Sequence, residues 1–215
     1  MSLHEILSRQ PDQLLQGFLL AWHGVSANLG AQAVPAAVPR SIERLHRVAA
    51  VAPQFWSHNR LETADDPLDD GNHLVFYIEN QGVDLWAIAR SDREHADPPV
   101  WRLGELGAGW SLEAPAVSTF IAQMAVLEGV MGAAHIASGT DFPAAAMTAA
   151  LESFHRLPLP AWANPGPHQF FASDHCLAFI HGPFDNGYGH IFIGAQDETD
   201  LVFLAPHLHL DWAFF

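Results

Sequence analysis

Histidine is the residue type best placed to do chemistry in this chain, at fourteen of 215 residues. Near the C-terminus His207, His209 and Asp211 alternate. An extended backbone would put these two imidazoles and the carboxylate on one face, a donor set suited to zinc or iron. The same alternation puts Leu208, Leu210 and Trp212 on the other face, so a terminal strand with a solvated polar side accounts for the pattern without a metal. Three ligands also need a preformed geometry held by outer-shell bonds, which spacing alone does not supply. No metal and no cofactor are therefore expected, and His207, His209 and Asp211 stand as the metal candidates. Ser173, Asp174 and His175 are adjacent, whereas the members of a hydrolytic triad must converge from separate elements. No Gly-x-Ser-x-Gly elbow, Walker loop or His-Glu-x-x-His helix occurs in the sequence, so no catalytic residue is assigned. The single cysteine, Cys176, excludes an intramolecular disulfide and a cysteine-cluster zinc site, and its neighbours Leu177, Ala178 and Phe179 mark it as a core residue.

Residues suited to recognition are clearer. Glu79, Asn80 and Gln81 occupy the tip of an expected hairpin, where an Asn can set the turn through its own backbone or meet a partner. Trp86 reads as core or as an interface anchor. Asp197, Glu198 and Asp200 form an acidic cluster in an expected turn between two strands. The chain has nine basic residues, all arginine, against 24 carboxylates, a formal net charge of −15. Eight of the arginines precede Ser111, and after it one arginine faces ten carboxylates. A negative field repels phosphate backbones and anionic lipid, which argues against nucleic acid and membrane as partners and favours a basic protein. Solubility explains the same acidity without any partner.

The elements that position these residues begin with the stretch from His73 to Trp101. Leu74 to Ile78 and Val83 to Ala89 are β-branched, aromatic and aliphatic runs joined by Asn80-Gln81-Gly82, the composition of a hairpin with glycine at the left-handed position. Strict alternation would set Leu74, Phe76 and Ile78 against Val75 and Tyr77, and Leu85 and Ala87 against Trp86 and Ile88. Both faces are apolar, so a sheet covered on both sides, or covered on one and used by a partner on the other, is expected. Ahead of it, Ser2 and Glu5 have capping-box spacing, Pro11 opens a helix with a Leu14, Leu15, Phe18, Leu19, Trp22 stripe, and Pro39 or Ser41 opens another with Ile42, Leu45 and Val48 inward. Val100 to Leu103 reads as a strand. A helix from Val117 follows, with Phe120, Ile121, Met124, Leu127 and Met131 on one side, and Asp141 is expected to cap the next, running to Phe154. Strands are then expected at Gln169 to Phe171, His175 to His181, His190 to Ala195 and Leu201 to Leu204, with Gly182 to Gly189 as a wide hairpin turn. The pattern is α+β: a mostly antiparallel central sheet with helices before and between strand blocks, in one domain over 1–215 with 1–34 as an N-terminal helical extension.

Glu79-Asn80-Gln81-Gly82-Val83, Trp86 and Asp97-Pro98-Pro99-Val100-Trp101 resemble the central hairpin and following strand of the SUKH superfamily, which includes bacterial toxin-immunity proteins and fungal cell-wall-synthesis regulators. Val38 to Leu45 is similar to the proline-led helix before that hairpin, and Ser118 to Ile121 to the start of the helix after it. The resemblance spans Pro35 to Glu128 and implies a SUKH-like fold and a non-catalytic protein-binding function, an immunity protein that neutralises a cognate polymorphic toxin; the acidic field suits a toxin domain that is basic. An intracellular regulatory or scaffold protein and a histidine-dependent metal enzyme are the alternatives. Met1-Ser2-Leu3-His4-Glu5 has neither the basic start nor the apolar core of a signal peptide, and a cytoplasmic location is expected.

Overall fold

The computed structural model describes residues 3–7, 11–26, 38–62, 68–69, 71–104, 109–162, 168–207 and 210–215. The Ser2 cap, the connector Ala31 to Ala37, the aspartates Asp65, Asp66 and Asp70, and His209 lie outside them. In chain order the helices are α1 (Leu3–Leu7), α2 (Pro11–His23), α3 (Arg40–Val51), α4 (Val117–Met131) and α5 (Ala144–Ala150). The strands are β1 (Arg60–Leu61), β2 (Leu68–Asp69), β3 (His73–Ile78), β4 (Leu85–Ala89), β5 (Val100–Leu103), β6 (Trp110–Ala114), β7 (His135–Pro143), β8 (His155–Arg156), β9 (His168–Ala172), β10 (Cys176–His181), β11 (Tyr188–Ala195) and β12 (Trp212–Phe214). They form two antiparallel sheets, an α+β fold. One runs β1-β3-β4-β5-β6 with β2 beside β3, the other β12-β7-β11-β10-β9-β8.

The expectation of one central sheet is thus corrected to two, and α4 explains why two are stable. Its sequence is apolar on nearly every side, interrupted only by Ser118, Thr119, Gln123 and Glu128, and a helix of that kind must be buried all round. Residues from Phe120 through Val130 are all buried, so the single apolar side read from the sequence is replaced by a helix enclosed between the layers. Phe76, Trp86, Ile88 and Val100 of the first sheet, Phe170, Leu177 and Phe179 of the second, and Phe18, Leu19 and Trp22 of α2 join α4 in one core cluster. Leu177 and Val130 abut Gly129 and Gly194 so closely that neither glycine has space for a side chain. The N-terminal helices contribute directly to this core: Leu3, Ile6 and Leu7 of α1 are buried in it. The other face of the second sheet packs Ala178, Ile180, Ile191 and Ile193 against Met147 of α5 and against Leu201 and Leu204.

The β3–β4 hairpin forms in the expected place, but its register contains a bulge between Val75 and Tyr77. Phe76 and Tyr77 therefore both point into the main core, and Val75 and Ile78 point away from it, which corrects the strict alternation on β3. On β4 the alternation holds, with Trp86 and Ile88 inward and Ala87 outward. The outward cluster of Val75, Ile78 and Ala87 is packed by Leu85 and Trp110, and the Trp110 ring stacks on His73 at 4.3 Å.

Three further expectations change. Asp141 caps no helix: β7 runs through it to Pro143, α5 starts at Ala144, and the helix stops at Ala150 rather than Phe154. Leu201 to Leu204 is no strand but part of a 3₁₀ helix over Glu198–His207, because residues three apart share a side of such a helix and Leu201 and Leu204 are the two buried ones. His207 closes that helix, and Leu210 N–H donates to His207 O at 3.0 Å. His207 thus lies in a helix and not in a strand, and His209, the middle residue of the period-two argument, lies outside the described residues.

Candidate functional site

The hairpin tip is built by its own side chains. Gly82 has φ +76°, and its N–H donates to Glu79 O at 2.8 Å. The Glu79 carboxylate accepts the N–H groups of Gln81 (2.8 Å) and Val83 (3.4 Å), so Glu79 holds the turn. The Asn80 N–H donates to Asn59 Oδ1 at 3.2 Å, while Asn80, Gln81 and Val83 are exposed.

Behind the tip lies a buried carboxylate that sequence reasoning did not single out. Glu128 is 1% exposed. It accepts hydrogen bonds from Tyr77 Oη at 2.5 Å, His58 N–H at 2.7 Å and Asn59 N–H at 2.9 Å, with Ser57 Oγ at 3.3 Å. A buried charge persists when its lone pairs are filled by charge-assisted bonds, and these four donors do that. Burial, followed by the Glu128 charge, pushes the Tyr77 phenol well above its usual range. The chain Glu128, Asn59, Asn80 thereby ties α4 to the tip. Trp86 is 2% exposed and stacks on Trp162 at 5.3 Å; it belongs to the core and offers a partner no surface, which corrects its place among the contact residues.

The second sheet gathers acids at one end. The register Cys176↔Ala195 sets the Ser173–His175 turn beside the residues that follow β11, and Cys176 Sγ reaches Asp200 O at 3.5 Å. Asp174, Asp197 and Glu198 are exposed there and Asp200 is half-buried. Among the described residues no arginine forms a salt bridge to any of them. Asp197 also accepts the N–H (2.9 Å) and hydroxyl (2.7 Å) of Thr199, and the backbone bond first of all holds its carboxyl below the ordinary range. The arginines whose partners are resolved serve the chain itself: Arg47 with Glu43, Arg60 with Glu62, Arg93 with Glu94, and buried Arg102 with Asp84.

At the opposite end of the same strands the structure places a histidine row. His168 pairs with His181 and His181 with His190 across β9, β10 and β11. Trp162 extends the row by a bridge to His168. Alternation along the strands puts the three rings on the face of Phe170, Leu177 and Phe179, toward the main core. The clue lay in the sequence: His181 and His190 flank the Gly182–Gly189 loop, and residues that flank a hairpin loop must oppose each other. As placed, the rings stack instead of converging, and among the described residues no group of three His, Cys, Asp or Glu side chains is arranged to hold a metal. No described helix is long and apolar enough to cross a membrane.

No family model, curated protein or solved structure matches this chain.

Proposed function

We propose that this chain is a protein-binding domain that meets a basic partner through the acidic end of its second sheet. The observation that carries this reading is the gathering of Asp174, Asp197, Glu198 and Asp200 by the β10–β11 register, with no arginine of the described residues bonded to them. Exposed carboxylates with no arginine bonded to them project a negative potential that raises the encounter rate with a positive surface and repels nucleic acid. The resemblance of the hairpin to the SUKH superfamily narrows the partner to a toxin domain acting in the cytoplasm, with this chain as its non-catalytic inhibitor. The exposed tip residues Asn80, Gln81 and Val83 form a second contact, held in place by Glu79 and Asn59.

The test is co-expression and purification with the product of the adjacent gene. Protection of cells, a stable complex, and loss of the complex when Asp174, Asp197 and Glu198 are neutralised are the expected results. A neighbouring product that is toxic yet neither bound nor neutralised removes the immunity reading.

A further inference from the structure

We propose that the His168–His181–His190 row is a proton-operated latch on the loop between β10 and β11. The His168 and His181 rings lie face to face, 4.5 Å between centroids and 2° between planes. His190 is 5.7 Å from His181. Phe184 folds back from the loop onto both, edge-on to His181 at 4.8 Å and 5.4 Å from His190. Its backbone completes the fastening: Phe184 N–H donates to Tyr188 O at 2.7 Å, and Gly187 N–H to Phe184 O at 2.8 Å. The loop is thus held to the sheet by one aromatic ring resting on two imidazoles, and at its far side by the Ala144 N–H, which donates to Gly187 O at 3.0 Å.

Imidazole is the side chain whose charge changes between pH 5 and 8. One proton on a stacked pair is tolerated, since an imidazolium over a neutral ring is attracted to its π face. A second proton sets two cations about 4.5 Å apart in a site where His168 is 7% exposed, and both repulsion and desolvation oppose it. The pair therefore titrates as a coupled unit in two steps. The second step requires the rings to part, which removes the surface under Phe184.

The charged groups that the described surrounding elements bring toward the row are these. α4 carries no ionisable side chain before Glu128, which is bonded to Tyr77 and the Ser57–Asn59 segment. From β7 comes Asp141, exposed, beside the β11 irregularity at His190, and from the loop Asp185, also exposed. α1, which touches β9, carries exposed Glu5. β8 brings His155 and Arg156 to the far end of β9. Behind Trp162 and Trp86, Arg102 is paired with Asp84. Asp141 and Asp185, both exposed, are screened by solvent and offset the second proton weakly.

The test uses the full chain. Amide exchange, expressed as protection relative to the intrinsic rate, is followed at Phe184, Gly187 and Tyr188 and at Leu177 and Phe179 between pH 7.5 and pH 5, both at about the same ionic strength. At least tenfold loss of protection in the loop, with the two β10 amides unchanged, is expected for the native chain, and His168→Gln, which removes the repulsion but leaves His181 and His190 under Phe184, should keep the loop protected at both pH values. His181→Gln removes the ring beneath Phe184 and should leave the loop equally unprotected at both pH values, which tests the latch if His168→Gln does not fold. Equal protection at both pH values overturns the proposal, as does parallel loss at Leu177 and Phe179, or a pH response that survives in the glutamine variants.

Discussion

A carboxylate that is 1% exposed makes Glu128 sensitive to the loss of any donor around it. Tyr77→Phe deletes one bond to a charged acceptor and should lower stability by about 1.5–3 kcal/mol in denaturant unfolding. Glu128→Ala strands the buried N–H of Asn59 and the Tyr77 hydroxyl together, so its cost should exceed that of Tyr77→Phe. His23 supplies a second prediction at this scale. Burial lowers its pKa, so the folded chain prefers the neutral ring while the unfolded chain takes up a proton near pH 6.5. Below that pH the unfolded state holds more protons, and stability falls with pH until the folded ring titrates as well. His23→Gln should flatten the slope of stability between pH 7 and 5. Cys176, its thiol pushed up to about 12 by burial, should resist a thiol reagent at pH 8 in the native chain and react fully once unfolded.

The hairpin shows how an element can be legible in outline and wrong in detail. Composition located both strands and the glycine of the turn. The bulge at Phe76 escaped, because inserting one residue changes which face each side chain takes without changing the composition of the strand. Gly82→Val should cost about 1–3 kcal/mol, read as a lower melting temperature. A Cβ there meets nothing within 4 Å, so the cost arises from the positive φ alone. β7 is one of the strands that reading missed. His135-Ile136-Ala137-Ser138-Gly139 has no apolar alternation, yet the strand is interior, paired to both β11 and β12. Gly139 is required there because a Cβ would lie 2.5 Å from the Phe142 ring, so Gly139→Ala should destabilise although alanine fits a strand backbone without strain.

At the scale of the molecule, charge and layering decide what a partner would meet. If the acidic end steers association, the rate with a basic partner should fall steeply as salt shortens the screening length from about 10 Å at 0.1 M toward about 3 Å at 1 M. Replacing Asp197, Glu198 and Asp200 by Asn or Gln should reduce that rate and its salt slope while dissociation changes little. Asn at 197 keeps an acceptor for Thr199, so folding should be retained. Stopped-flow binding over a salt series reads all three, and a rate independent of salt would leave the acidity to solubility.

Some of this was settled by sequence alone, since it depends on local pattern: the α+β class, the hairpin turn at Gly82, the apolar helix from Val117, a cysteine with no disulfide partner and the sign of the field. Tertiary structure decided the rest, because each remaining feature joins residues far apart in the chain. Glu128 finds its donors at Ser57–Asn59 and Tyr77, Trp86 finds Trp162, and α4 has a sheet on each side only once the chain after Pro158 returns. The three histidines become neighbours through strand register, which no spacing along one strand can express.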